Sequence, residues 1–517
     1  MINVLEYLES TAPRVPDKIA YSDGTDSLTF SEVWSYALSV GSYLLSEGIT
    51  GEPVAVLTKK HPRAIPCFFG CVYAGDQYVP IDIEMPAVRM GLILDNLNLR
   101  VIICDVDTKA AAERFAAEHG CRAVVCEDMF HFPHNAEALR RVRERAIDTD
   151  PIYMVFTSGS TGIPKGVVAC HRSVIDYIEN LSEVLGFDED TVFGNQAPLY
   201  FDACLKELYP TIKFGATAYF IPKTCFMFPV KLVEFLNEHR INTVCWVVSA
   251  LTMISSTGTF ESMKPEYLRT VAFGSEVFPP SQLALWREAL PECEFFNLYG
   301  PTECTGMSCW YHVTDELAPG EPIPIGRPFR NTDVMLLVWN EDSAQDDGAQ
   351  KARLAGPDEE GELCIRGTPL TLGYYNDYEQ TDRAFVQNPL HSHYHELIYR
   401  TGDIARRNER GDLVFVSRRD HQIKHMGHRI ELGEIEVTVA SAPGVTNECC
   451  VYDRESSKIV LFYTGTSEKR ELTSYIKTRL PRYMMPNVML RLDAIPLTPN
   501  GKRDRMACLK LYRESNA

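Results

Sequence analysis

The stretch Tyr153–Val168, YMVFTSGSTGIPKGVV, decides how the rest of the chain reads. Tyr153 to Phe156 is an apolar run of strand character that leads straight into Thr157, Ser158, Gly159, Ser160, Thr161 and Gly162. Hydroxyls and glycine amides packed this densely suit a loop wrapped around phosphate oxygens, because unhindered backbone N–H groups can converge on an anion. Lys165 adds a positive charge nearby. A flexible Ser/Gly linker would share this composition, but the apolar runs on both sides argue for a loop held between buried elements. The G-x-x-x-x-G-K-[ST] phosphate loop is a different string and occurs nowhere in the chain.

Outward from this loop, apolar runs alternate with amphipathic stretches. PVAVLT (Pro53 to Thr58), VIIC (Val101 to Cys104) and AVVC (Ala123 to Cys126) read as buried strands, with helical patterning at Phe30 to Leu45 and Lys109 to His119. Strand-like runs recur at Val192 to Pro198, Thr217 to Ile221, Thr243 to Val248 and Thr270 to Phe273. Such alternation predicts doubly wound α/β subdomains. From Ile323 the strands shorten (GELCIRG, GDLVFV), which predicts a small β-barrel-like subdomain. Glu341 to Gly361 has little to bury and reads as a surface loop. The charged string SRRD, Ser417 to Asp420, marks a boundary. The expected organisation is therefore a large α/β domain over 1–419 and a small, mobile α+β domain over 420–517.

Composition narrows the function. The chain has 517 residues, too many for one core, and a formal net charge of -19, which excludes a phosphate-backbone binder; no nucleic-acid partner is expected. Its 16 cysteines lie largely in apolar stretches and show no repeated C-x-x-C pair, so they read as small hydrophobes and not as a zinc site. MINVLEYLES has no basic start before an apolar run, and the best membrane candidate, Ile65 to Tyr78, is short and broken by Gly70, Gly75 and Asp76. The expectation is a cytoplasmic protein with no membrane insertion.

TSGSTGIPKG, with AGDQYVPID (Ala74 to Asp82), NLYGPTE (Asn297 to Glu303), GELCIRG (Gly361 to Gly367), YRTGD (Tyr399 to Asp403), DHQIKHMGHRIELGEIE (Asp420 to Glu436) and NGKRDR (Asn500 to Arg505), resembles the adenylate-forming superfamily of amino-acid adenylation domains, acyl-CoA ligases and luciferases. The likeness runs through nearly the whole chain, in the family's motif order. It implies that ATP and a carboxylic acid form an acyl adenylate with loss of pyrophosphate, and that a thiol then takes the acyl group. It places the β- and γ-phosphates on Thr157 to Lys165 and Mg²⁺ on Glu303, with Thr302 and Gly300 beside it. It puts adenine against Tyr299, Asn297 and Gly274, Ser275 and Glu276. The ribose falls to Asp403, with Arg418 near ribose and phosphate. Alone, the TGD of Asp403 would read as a surface turn.

Lys502 resembles the family's catalytic lysine, a compact cation that would bridge carboxylate and phosphate. Without the motif it would be one solvated cation of a basic tail with Arg503 and Arg505. Asp420 falls at the hinge position and Lys424 on the segment that would serve thioester formation after domain rotation. Ser417 departs from the glycine usual before that arginine.

In YFDACLKELYP (Tyr200 to Pro210), Asp202 matches the aspartate with which amino-acid-activating members grip the substrate ammonium. Its alternative is to cap the helix that follows. The remaining pocket positions implied by the likeness are Ala203, Lys206, Trp246, Val271, Phe273, Leu298, Gly306 and Met307. The bulk of Trp246, Phe273 and Leu298 favours a small side chain. Lys206 either pairs with an acidic substrate or reaches toward Glu207 or solvent. Among stand-alone members the chain resembles D-alanine–D-alanyl carrier protein ligases, through NQAP, GSEVFPP and YMMP, while Phe273 and Lys206 depart from them. The expectation is D-alanine or another small amino acid, activated with ATP and Mg²⁺ and loaded onto a phosphopantetheinylated carrier protein in trans. An acyl-CoA or aryl-acid ligase, or an inactive adenylate binder, is the alternative.

Overall fold

In a computed structural model, which describes residues 1–159, 162–314, 321–340, 352–419, 422–497 and 503–516, the apolar runs become strands of parallel-rich sheets. The chain divides into two units, one of Met1–Ile83, Leu99–Val155 and Gly166–Arg419, the other of Glu84–Asn98, Phe156–Lys165 and Asp420–Ala517.

One sheet orders its six strands Arg122–Val125, Val101–Cys104, Pro53–Leu57, Gln77–Pro80, Pro151–Thr157 and Lys165–Cys170. A second has nine: Arg327–Pro328, Cys309–His312, Glu294–Tyr299, Thr270–Gly274, Thr243–Val247, Val192–Asn195, Thr217–Phe220, Ile19–Ser22 and Ser27–Thr29. Its central pairings are parallel and its edges antiparallel. Parallel strands buried on both faces explain why these runs read as continuous apolar strings and not as alternation. After Ile323 the strands do not shorten as expected: Thr332–Trp339, Gly361–Gly367 and Leu397–Arg407 have 8, 7 and 11 residues, and they centre a six-stranded antiparallel sheet.

The run Ile65 to Tyr78 is a helix, Ala64–Tyr73, every residue of it buried, followed by the strand Gln77–Pro80. It packs on the helix Phe30–Ser46, which a capping box of Thr29 and Glu32 starts. Gly70 permits the approach: a Cβ there would lie 2.4 Å from Val40. Among the described residues no helix is long and apolar enough to cross a membrane. All cysteines are free, and all but Cys121 and Cys225 are buried.

In the second unit the hairpin Gln422–His425 and His428–Glu431 turns on Met426 (φ 52) and Gly427 (φ 78). Two successive left-handed residues are what a tight hairpin with the right twist requires. The helix Leu432–Ala440 packs on the sheet of Val445–Asp453, Lys458–Gly465 and Val488–Arg491. Arg503 and Arg505 do not form a solvated basic tail. Both pair with buried Glu436, at 3.2 and 2.7 Å, and Arg503 also pairs with Glu448. Arg89, on the helix Ala87–Leu97, forms an ion pair with Glu434, and both are buried. Arg89 Nε and Glu434 Oε2 are left without hydrogen bonds, so the pair depends on its single contact. Arg89→Met alone should lower unfolding free energy by about 3–5 kcal/mol, since it strands a buried carboxylate. Adding Glu434→Leu should restore most of it. Urea denaturation of both variants measures the difference.

Candidate active site

The parallel strands of the nine-stranded sheet end at one edge, so the loops that leave them gather there. Val192–Asn195 leads to the Asp202 segment, Thr270–Gly274 to Ser275 and Glu276, and Glu294–Tyr299 to Gly300, Thr302 and Glu303. Ser275 takes a left-handed φ of 67°, and Glu276 accepts the Ser249 amide at 2.8 Å. Asn297 donates to the Pro324 carbonyl at 2.8 Å. Gly300 is required by space: a Cβ would stand 2.3 Å from the Gly306 carbonyl oxygen and 2.5 Å from Met307 Cα. Glu303, in the short turn Thr302–Cys304, is fully buried and accepts the Tyr374 hydroxyl at 2.7 Å. Its backbone carbonyl takes both the amide and the hydroxyl of Thr371, each at 3.0 Å.

Asp403 is no surface turn. It lies within the strand Leu397–Arg407, cross-strand from Arg418, whose guanidinium it holds at 2.6 Å. Its other oxygen accepts the Tyr299 hydroxyl. Burial first, then the Asp403 charge, drives the Tyr299 phenol well above its ordinary range. Tyr299, Asp403 and Arg418 are thus brought together as one buried hydrogen-bonded set.

Phe156–Lys165, the stretch expected to hold phosphate, belongs to the second unit. Thr157 is buried and its hydroxyl has no hydrogen-bond partner. Ser158 donates to the Arg429 carbonyl at 3.0 Å and accepts from the Glu431 amide at 3.2 Å. A Cβ on Gly159 would fall 2.1 Å from the Ile163 carbonyl oxygen, and Gly162 is left-handed at φ 83°. Lys165 begins the strand Lys165–Cys170. Lys424 sits in the hairpin, paired with Arg429. Ser160, Thr161, Asp420 and Lys502 lie outside the described residues.

Asp202 opens the short turn Asp202–Cys204, with Phe201 at the N-cap position of that turn and Cys204 at that of the helix Leu205–Phe214. The carboxylate is half-buried, less enclosed than its motif implied. Lys206 does not lie in open solvent: it is 5% exposed, because the first turn of Leu205–Phe214 is buried all round, and its charge acts on Glu207, the other branch of the expectation. Ala203, Leu298 and Met307 pack in one apolar cluster with Cys204 and Cys245. A Cβ on Gly306 would meet the Tyr177 ring at 2.9 Å. Trp246, Val271 and Phe273 pack in a second cluster, with Phe278. Strand alternation explains the split, since Trp246 and Phe273 are paired neighbours while Cys245 and Ala272 point to the other face.

A family model for the AMP-binding enzyme matches residues 8–375, and one for the AMP-binding enzyme C-terminal domain matches residues 434–502. The chain belongs to the AMP-binding enzyme family. It is 30% identical over 508 residues to gramicidin S synthase 2 of Brevibacillus brevis, a match covering 97% of this chain and 11% of that protein. Tyrocidine synthase 1 of Brevibacillus parabrevis is 29% identical, over 98% of this chain and 44% of that protein. The chain thus spans less than half the length of these relatives. Among solved structures, PA1221, an NRPS protein containing adenylation and PCP domains, gives a TM-score of 0.81 at 25% identity, over 99% of this chain and 98% of that one. The Vibrio cholerae adenylation domain AlmE shares the fold, with a TM-score of 0.83 at 21% identity, over 99% of this chain and 98% of that one. As an AMP-binding enzyme, the chain is an ATP-dependent ligase that forms an acyl adenylate.

Several groups of this AMP-binding enzyme had no local signal in sequence. Tyr374 is 71 positions from Glu303, and the buried hydroxyls of Tyr153 and Tyr177 are unpartnered. Asp403→Asn removes the counter-charge of Arg418 and should raise the ATP KM about 10- to 100-fold, the worth of a charged hydrogen bond. The amino-acid KM should move far less. Pyrophosphate exchange at varied ATP measures it.

Proposed function

We propose that the chain activates a small amino acid as its aminoacyl adenylate and passes it to the phosphopantetheine thiol of a separate carrier protein. The observation that carries this reading is Asp202, a half-buried carboxylate on the segment that leaves the strand Val192–Asn195 at the loop-bearing sheet edge. A half-buried anion so placed suits a substrate ammonium and has no use for a fatty or aryl acid. D-alanine is the finer reading, supported by the likeness in NQAP, GSEVFPP and YMMP. Leu298 and Met307 support a short side chain, whereas Trp246 and Phe273 pack in a different cluster. Lys206 adds a charge that alanine does not answer.

Thr157, Ser158, Gly159, Gly162 and Lys165, with Ser160 and Thr161, are proposed to hold the β- and γ-phosphates. The unpartnered Thr157 hydroxyl and the Gly159 backbone that no side chain could cover fit that use. Glu303 is proposed to hold Mg²⁺. One carboxylate suits this ion, which keeps waters and substrate phosphates as its other ligands, and no group of three or more His, Cys, Asp or Glu that could hold a metal occurs among the described residues. Bound there, the ion would offset phosphate charge. Gly274, Ser275, Glu276, Asn297, Tyr299, Gly300 and Thr302 are proposed to frame the base, and Asp403 and Arg418 the ribose.

We take 420–517 as the domain that carries Lys502 for adenylation and Lys424 for thioester formation, with Asp420 as the hinge. Lys502→Ala should abolish amino-acid-dependent ATP–pyrophosphate exchange while ATP still binds. Lys424→Ala should spare exchange and slow transfer to the carrier. Asp202→Asn should raise the amino-acid KM by about 30-fold or more, the cost of breaking a desolvated ion pair, with ATP KM little changed. Exchange supported by fatty or aryl acids, and by no amino acid, would refute the reading.

A further inference from the structure

One short stretch of chain, residues 371–375, grips Glu303 twice. Thr371 donates both its amide and its hydroxyl to the Glu303 backbone carbonyl, each at 3.0 Å. Three residues on, the Tyr374 hydroxyl donates to Glu303 Oε1 at 2.7 Å. The same stretch therefore fixes the backbone of the glutamate and the direction of its carboxylate. Glu303 itself is fully buried, in a turn of only three residues, Thr302–Cys304.

The gripping stretch is held in its turn. Leu372 and Tyr375 donate to the Val168 and Gly166 carbonyls, both at 2.8 Å, and Val168 donates to the Gly373 carbonyl at 3.1 Å. These bonds lay it along the strand Lys165–Cys170, with Val167 opposite Tyr374. Gly373 takes a positive φ of 99°, and a Cβ there would lie 2.5 Å from Thr381, so only glycine makes this bend without strain. The Thr381 hydroxyl accepts the Tyr374 amide at 3.0 Å and donates to the Asp377 carbonyl at 2.8 Å. The Tyr374 ring is 7% exposed and meets Phe385 edge-on, 6.1 Å between centroids, in an apolar cluster with Val167, Cys304 and Tyr399. A ring packed at this density has one orientation, and its hydroxyl one place to donate.

The kind of donor matters. A buried carboxylate needs hydrogen bonds, and an ammonium or guanidinium would supply the strongest. Either would also cancel its charge. A phenolic hydroxyl donates without carrying a charge, so it sets where the carboxylate points and leaves the negative charge for a cation. Outer-shell groups act on metal-binding carboxylates in this way. We propose that Tyr374 is a positioning residue that orients Glu303 toward Mg²⁺, so that the metal-dependent share of ATP binding depends on a hydroxyl 71 positions along the chain. The inference rests on the reading that Glu303 holds Mg²⁺.

The test is calorimetric binding of ATP to the full chain, once in excess Mg²⁺ and once in EDTA. Tyr374→Phe keeps the ring against Phe385 and removes only the hydroxyl. It should weaken ATP binding in Mg²⁺ about 10- to 100-fold, the usual cost of losing an outer-shell partner, and leave binding in EDTA near wild type. Thr371→Val, which loses the hydroxyl on the Glu303 carbonyl, should show the same asymmetry in smaller measure, and it carries the test should the first variant not fold. An equal loss in both media would make Tyr374 a structural residue and overturn the proposal, as would no loss in either. Glu303→Gln separates this from the reading beneath it. If that variant still binds ATP more tightly in Mg²⁺ than in EDTA by the wild-type factor, it is the metal role of Glu303 that fails.

Discussion

Parallel pairing is the constraint on which everything else depends. Strands that run the same way must be joined by crossovers, and all their chain exits fall at one edge. In the nine-stranded sheet this gathers loops that are far apart in sequence. The segment after Asn195, the left-handed Ser275 after Gly274, and the Gly300 to Glu303 turn after Tyr299 come from three separate strands. None of them could be assembled by a local motif. The sheet makes the site, and the loops only furnish it.

What can be read from the residues alone follows from this. Continuous apolar runs such as VIIC and PVAVL declare themselves, since both faces of a parallel strand are covered. Ordered motifs likewise single out Glu303, Asp403 and the stretch from Thr157 to Lys165 by type and position. Pairings across the fold do not declare themselves. Tyr374 on Glu303, Tyr299 on Asp403, and Arg89 on Glu434 join residues with no common local pattern. Nor does a motif say which face of a strand a side chain takes. The split of Trp246 and Phe273 from Leu298 and Met307 is a matter of alternation and register, visible only once Trp246 is found beside Phe273.

Lys206 shows the same limit from the other side. Its chemistry was plain from its letter, but whether it faced water depended on how deeply one helical turn is set. The turn is buried on every side, so the lysine stays inside with Glu207 and cannot relax outward.

The cysteines carry a last consequence. With every thiol free and all but Cys121 and Cys225 enclosed, the native chain offers few sulfurs to an alkylating or disulfide-exchanging reagent. Loss of the packed state exposes the rest at once. The molecule therefore carries a built-in clock for its own opening, read as the pace at which those hidden sulfurs are modified, and any such opening in an oxidising setting would end in crosslinked, unrefoldable chains.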